Sequence, residues 1–456
     1  MIPSPSAAFD TARAANFQQP IFVLQMPGLG LTYCSRQDPK IAATSTWLQI
    51  PSGLSQSLTD LQGKASIGSF AITMVDINRA LLAKFANTVW YGQQANVYLG
   101  FFGTNWTGDY ALLFSGIVKS VTPNSAHTGF TFNIVDRKQL IKQKIYLIGD
   151  DGVNPTSKKN PKTLDGNPLD LVTDLMTNQL KWPTQYLDQT AIAALRNGRF
   201  SATRMVFSIT KAQDALTFLE NELLMPNGLF HFCRYNGMLS VGDMLAAPSP
   251  VPIAFAFTDS NIVDIPAFAQ KNIYNWVSFQ LDYDGSNYLD TEEFVDSASV
   301  NKYGLSNVLQ ITSKGLRTNL QGASRAGITA RRIFQRYANG PTGLITFDHP
   351  SVQAGIVEVG DYVTVTHRLL EDLDTGALGV TNRIYQVMAV QSKWAAGKMS
   401  FTLLDVNAMA SRKAFQYAPP GIPAFTAASA AQQGQYIFQA NAQGQQSNGV
   451  AANEIF

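Results

Sequence analysis

Residues 97–135 read VYLGFFGTNWTGDYALLFSGIVKSVTPNSAHTGFTFNIV, and this stretch decides the fold class. Val97, Leu99 and Phe101 alternate with small or polar residues, and so do Phe130, Phe132 and Ile134. A period of two turns one row of side chains toward a core and the other toward solvent, as a strand does. Between these runs Ala111 to Val118 is almost continuously apolar, which suits a strand covered on both faces. Upstream, Phe70, Ile72 and Met74 repeat the alternation, and only Ile77 to Phe85 reads as a helix. Short Gly- and Asn-containing segments separate the runs. The first 140 or so residues are therefore expected to form a closed or sandwiched antiparallel sheet.

The same signals return late in the chain. Val277, Phe279, Leu281 and Tyr283 alternate, and strands are expected over Ile356 to Thr366, Ile384 to Val390 and Met399 to Val406. Trp394 to Lys398 is the turn joining the last two. One helix, Ala323 to Tyr337, turns Ala326, Ala330, Ile333 and Phe334 inward and leaves Arg325, Arg332 and Arg336 outside. Between the two β segments, Gly149 to Asn167 reads as a long exposed loop. Asn167-Pro168 then opens a helix, since Asn caps and Pro fits the first turn, with Leu169, Val172, Leu175 and Met176 on one face. A second helix is expected from Thr210, with Gln213 in capping-box position and Ala212, Ala215, Leu216, Leu219 and Leu223 inward. Asn236-Gly237, between Leu229–Phe232 and Met238–Val241, signals a hairpin whose two central turn residues take positive φ.

The expected fold is mainly β (α+β overall), with two antiparallel β-barrel-like domains flanking a small α+β unit. The boundaries are 1–148, 149–264, 265–412 and a tail at 413–456. The two β domains invite comparison as distant versions of one another. Residues 414–453 contain no Asp, Glu, Lys or Arg and are rich in Ala, Gln, Gly and Asn. Such a composition cannot bury enough apolar area to fold alone. The tail is expected to lie against another chain, with Tyr436, Ile437 and Phe438 as partner-binding anchors.

Apolar residues make up 45% of the chain and charged residues only 14%, against about 25% charged in ordinary soluble proteins. Interface centres are poor in Lys, Glu and Asp and rich in aromatics, and the chain has 27 Phe and 16 Tyr. Much of its surface is expected to face neighbouring subunits. A net charge of +2 with scattered Lys and Arg gives no footprint for sequence-specific nucleic-acid binding. Cys34 and Cys233 are too far apart in sequence to suggest a zinc pattern or a disulfide framework, and read as buried thiols of a reducing compartment. MIPSPSAAFD is unlike a signal peptide, and no apolar run is long enough to span a membrane.

The chemistry-bearing residues form no recognisable motif. His127, His231, His349 and His367 are far apart and lack metal-binding spacing, so each reads as a surface or strand histidine. Gly28-Leu29-Gly30 lacks the third glycine of a dinucleotide loop, and neither a Gly-x-Ser-x-Gly elbow nor a P-loop is present. Asp282-Tyr283-Asp284-Gly285-Ser286, with Asp290 and Glu293 beyond, puts its glycine too early for a calcium loop and reads as a turn. Asp372 and Asp374 read as solvated loop residues. No catalytic residue, no cofactor site and no metal site is assigned.

Several segments, in order, resemble the hub or tail-tip (baseplate hub) proteins of tailed phages and of gene-transfer particles. They are Val97–Phe101, Leu113–Val118 and Phe132–Asp136, then Asn167–Leu171 with Ala215–Phe232 and the Asn236-Gly237 hairpin, then Val359–Val365, Arg383–Val390 and Phe401–Asp405. None is specific alone, and their shared order carries the likeness. The resemblance implies a structural virion protein made in a bacterial cytoplasm, with no catalysis. It implies a homotrimer whose two barrels per subunit make a pseudo-sixfold ring around the channel. Its partners would be itself and other tail proteins such as the tail tube or distal tail protein, tape measure and central fibre, with DNA passing without sequence-specific contact. The rival classes are a receptor-binding adhesin, for which Phe101 to Trp106 is the one tempting aromatic loop, and a tail-associated glycan-degrading enzyme with carboxylates paired only in space.

Overall fold

A computed structural model describes residues 4–15, 19–41, 48–49, 53–59, 61, 64–76, 79–126, 128–245, 247, 250–264, 266–270, 273–305, 308–320, 322–338, 343–350, 357–372, 376–406, 416–417, 429 and 436–437. Helix α1 (Ala7–Ala14) is capped by Ser6, whose hydroxyl accepts the Phe9 N–H. Strands β1 (Pro20–Met26), β2 (Leu31–Cys34), β3 (Ser55–Thr59), β4 (Lys64–Ala65) and β5 (Ser69–Val75) follow. Helix α2 (Ala80–Phe85) precedes β6 (Gln94–Phe101), β7 (Ala111–Pro123) and β8 (Gly129–Val135). Asp76 starts α2 by accepting the N–H groups of Leu81 and Leu82; Ile77, expected to open it, lies outside the described residues. The strands lie in the order β2-β1-β6-β7-β8-β5. Their inward rows, including Leu24, Ile72, Val97, Phe114 and Phe132, are fully buried in one core, as the alternation predicts.

The middle of the chain departs from expectation in three places. After β9 (Lys144–Ile145), the presumed loop to Asn167 ends in β10 (Lys162–Gly166), which pairs with β11 (Met205–Ile209). Asn167 does cap α3 (Pro168–Asp174), accepting the Leu169 N–H, and α4 (Gln189–Asn197) follows, capped by Asp188. The next helix does not begin at Thr210. Residues Gln213–Asp214 (β12) are extended against β9, so Asp214 becomes the cap, accepting the Thr217 N–H, and α5 (Ala215–Thr217) runs on as a π-turn over Phe218–Leu224. The hairpin of β13 (Leu229–Cys233) and β14 (Leu239–Asp243) is present. Only Gly237 takes positive φ, at +78°. The Gly237 N–H donates to Arg234 O and the Arg234 N–H to Met238 O, so a longer loop replaces the two-residue turn.

The last part contains β15 (Ile253–Thr258) and β16 (Ala267–Gln270), then β17 (Trp276–Tyr283), β18 (Tyr288–Val295), α6 (Ser297–Tyr303), β19 (Leu309–Thr312) and α7 (Gly322–Tyr337). It continues with β20 (Gly343–Pro350), β21 (Tyr362–Glu371), β22 (Leu378–Lys393) and β23 (Lys398–Asp405). The Val277 strand, β17, belongs to a separate three-stranded sheet, β18-β17-β19. A boundary at 264 would cut β15 from its partner β21. Helix α7 buries Ala326, Ala330 and Ile333 as expected, but Arg325 and Arg336 are buried too. The Arg336 guanidinium donates to the Gln386 side chain of β22, so this arginine packs on a sheet instead of facing water.

The two β segments share a strand order. The first runs β1-β6-β7-β8-β5 and the second β15-β21-β22-β23-β20. Their registers agree as well. Val118, Ser120, Val121 and Thr122 face Ile134, Asn133, Phe132 and Thr131, while Val387, Ala389, Val390 and Gln391 face Leu403, Thr402, Phe401 and Ser400. Both ladders bulge after the first of these residues. Gly92 donates to Val118 O and Val118 donates to Gln93 O; Gly360 donates to Val387 O and Val387 donates to Asp361 O. One difference stands out: β1 is antiparallel to β6, whereas β15 is parallel to β21, so the second segment is not antiparallel throughout.

Two separate barrels are not what is seen. Fourteen of the described strands, drawn from both β segments, form one continuous sheet, and no closed barrel is found among them. The reason is β3, which touches β5 only through Ser55 and Ser69 and then lies antiparallel along β22, Ser57 opposite Ala389 and Ser55 opposite Gln391. An open strand edge is completed by the nearest extended segment that can supply its hydrogen bonds, and here that segment comes from the other half of the chain.

Candidate functional site

The seam made by β3 and β22 is where the molecule's parts converge. Gly53 enters it at φ +138°, with the position of a Cβ only 1.5 Å from Ser392 O. Only a glycine allows backbone this close. The Ser392 N–H then donates to Leu54 O at 2.8 Å. The β13–β14 hairpin tip reaches the same place: Tyr235 N–H donates to the buried Glu358 carboxyl at 2.7 Å. Gly237 packs against Ser115 of β7. The helix-and-hairpin unit thus touches both halves of the sheet at their junction.

Behind the seam lies a buried chain of charges. Asp136, at the end of β8, accepts the N–H groups of Gly68 (2.6 Å) and Lys138 (3.0 Å). Lys138, 1% exposed, lies 3.5 Å from Glu220, which meets His231 Nε2 at 2.9 Å. Burial pushes the Asp136 carboxyl up to about 7 and the His231 imidazole down to about 4. Burial would also raise Glu220, but His231 and Lys138 hold it below the usual carboxylate range. These groups sit on the 3-10 turn that follows β8 (Asp136 and Lys138), on the π-turn and on β13, so the cluster fixes how the elements meet.

A cleft of about 470 Å³ opens between the hairpin and β21–β22, lined by Arg199, Arg234, Arg332, Asp243, Tyr362 and Gln386 among others. Asp243 pairs with Arg199 and lies 3.9 Å from Arg332, and Arg234 pairs with Asp188. Arg325 lies over the Phe200 ring, and burial followed by Arg199 and Arg332 lowers its guanidinium to about 9. The described lining offers guanidinium donors, and its Ser240 hydroxyl donates to Asp188 at 2.9 Å, the carboxylate that also holds Arg234. Sequence reasoning missed this cleft because its arginines come from elements far apart in the chain.

The sequence-assigned positions fall as follows. His231, His349 and His367 are buried strand residues, the strand alternative of the sequence reading; His127 lies outside the described residues. Asp284 makes the expected turn, accepting the N–H groups of Ser286 and Asn287. Asp282 and Asp290 both accept the Thr318 hydroxyl. No group of three metal-binding side chains occurs among the described residues. Asp372 is not free in solvent but pairs with the buried Arg383, because Arg383 reaches it across the sheet alongside Asp405; Asp374 lies outside the described residues. Trp106 packs edge-on between Tyr98 and Tyr110, leaving Phe102 as the exposed aromatic of that loop. In the tail, Tyr436 and Ile437 (β25) pair in parallel with Gln416 and Tyr417 (β24), within the chain; Phe438 lies outside the described residues. Cys34 and Cys233 are buried thiols in no disulfide, as expected. No described helix is long and apolar enough to cross a membrane.

No family model matches the chain, and no curated protein matches its sequence. Among solved structures it is similar to a tail protein from Neisseria meningitidis MC58, at 12% identity and a TM-score of 0.46 over 86% of this chain and 98% of that one. It is similar to the 43 kDa tail protein of prophage MuSo2 from Shewanella oneidensis, at 13% identity and a TM-score of 0.46 over 85% and 99%. A prophage tail protein from Listeria monocytogenes EGD-e follows at 12% identity and a TM-score of 0.44 over 85% and 97%. Each of the three solved structures is described as a tail protein, two of them from prophages.

Proposed function

We propose that this chain is a non-enzymatic hub of a phage tail tip or baseplate, three copies of which form a ring around the channel. The observation that carries the reading is the register-matched repeat. A tube with sixfold symmetry can sit on a threefold ring only if each subunit presents two similar faces, and two sheets of the same strand order and register supply them. Closed rings arise when one heterologous contact repeats under rotation. In this reading the first repeat curls toward closure across Leu48, which pairs with Met74 of β5 and donates to Cys34 O of β2. The low charge content fits subunits flanked on both sides.

The neighbours would be the tail tube or distal tail protein above, the tape measure and DNA inside, and a central fibre below. The tail from 413 onward would reach one of them through Tyr436, Ile437 and Phe438. The test is stoichiometry, by native mass spectrometry of the full chain and by reconstruction of particles carrying it. Three copies at the tip support the proposal. One or six copies, or hydrolysis of cell-envelope polysaccharide by the pure protein that a single carboxylate substitution abolishes, would overturn it.

A further inference from the structure

We infer that the open edge of β7 at Ser120–Pro123 is the socket for strand β16 of a second copy of this chain. The inference rests on the ring reading above and adds the contact that closes it. The argument starts from an edge filled in one repeat and open in the other. Ala389, Val390 and Gln391 of β22 face β23 on one side and β3 on the other. Their counterparts by register, Ser120, Val121 and Thr122 of β7, face β8 on one side and no described strand on the other. Burial follows: Lys119 is exposed where Met388 is buried, and Val121 is half-buried where Val390 is buried.

The strand that would fill the edge can be read in the same way. Ser55 of β3 faces Ser69, and Ala269 of β16 faces Leu344. Ser69 and Leu344 correspond, because they face the corresponding residues Val135 and Leu404. Strand β16 therefore occupies in the second repeat the place from which β3 reaches over to β22. It is a free edge: Ala267 and Ala269 are exposed and Phe268 is 37% exposed, whereas Leu54, its counterpart, packs on the first core.

Strands β16 and β7 are not paired with each other within the chain. The operation that carries the first repeat to the second therefore does not close on one molecule, and its next step needs another copy. Applying the β3–β22 register gives an antiparallel pair with Ala269 opposite Thr122, Gln270 opposite Val121 and Phe268 opposite Pro123. Val121 directs its N–H and C=O to the open side, so Val121 and Gln270 exchange hydrogen bonds. Pro123 has no N–H and contributes its carbonyl alone, which makes this joint shorter than the internal one. Lys119 and Pro123 are also edge residues that discourage indiscriminate pairing, so the socket favours a strand delivered in register by a ring.

Thr122 and Ala269 would form a non-hydrogen-bonded pair, with Cα atoms about 4.5 Å apart, a separation a disulfide can bridge. The experiment places Thr122→Cys and Ala269→Cys together in the full chain, oxidises assembled particles with copper phenanthroline, and resolves the products without reductant. Covalent trimers are expected, with dimers as intermediates, and neither single variant nor the off-register pair Ser120→Cys with Ala269→Cys should give them. A threefold tip without T122C/A269C cross-links overturns the socket and leaves the ring reading standing. A tip without threefold stoichiometry overturns both.

Discussion

Replacing Gly53 by Ala tests whether the β3–β22 seam holds the two repeats together. The new Cβ would stand 1.5 Å from Ser392 O and 2.5 Å from Ser392 C, both backbone atoms that no rotamer change can move. The residue also sits at φ +138°, where a side chain costs about 1–3 kcal/mol. Relief requires β3 to lift from β22, losing the Ser392–Leu54 bond and its neighbours along the ladder. Two or three such bonds contribute about 0.5–1.5 kcal/mol each. Adding the backbone strain gives a loss of about 2–7 kcal/mol, reaching the severe end for one substitution. Gly30→Ala is the control: Gly30 has positive φ, +62°, but nothing within 4 Å of its Cβ position. Hydrogen exchange read by mass spectrometry should show deprotection over 54–59 and 387–393 in G53A and not in G30A, with a larger drop in the urea midpoint. Equal midpoints in the two variants, with the seam amides still protected, would refute the reasoning.

Three further outcomes are expected. Between about pH 4 and 6.5 the buried pair His231 and Asp136 should oppose each other. His231, lowered from 6.5 to about 4, contributes stability that is lost as pH falls through that window. Asp136, raised from 3.8 to about 7, contributes stability that is lost as pH rises through it. Asp136→Asn should therefore leave a chain whose urea midpoint falls between pH 7 and 5, and a flat profile would contradict the assignment. Cys34 and Cys233 are buried, and burial raises the Cys233 thiol well above its ordinary range, so neither should react with Ellman's reagent until the chain unfolds; reaction of the native protein within minutes would count against it. Deleting 414–456 removes no residue of the described cores, so the melting temperature should hold within a degree or two while assembly into particles fails; a truncated chain that assembles normally would remove the tail from the proposed contacts.

The strand runs around Val97, Ala111–Val118 and Phe130–Ile134 were legible because a two-residue period is a local property, set by which face each side chain takes. So were the Asn167-Pro168 helix start, the Asp284 turn and the buried thiols. Thr210 is a sound cap in isolation, but the second helix starts later because Gln213–Asp214 is drawn into a strand by Lys144–Ile145. A helical wheel points Arg325 and Arg336 outward because it shows their angle and not what packs over it. In the structure Arg325 covers Phe200 and Arg336 donates to Gln386.

Sequence by itself determined the class: mainly β, two strand-rich segments around a helix-and-hairpin unit, and an uncharged tail. Only the tertiary structure decided that the segments share one strand order and register, that β3 crosses from one to the other, and that Asp136, Lys138, Glu220 and His231 meet. The physical reason is range. Alternation and capping act over a few residues and leave a trace in the order of side-chain types. Strand pairing is made by backbone groups that every residue carries, so which strands meet is settled by long-range geometry.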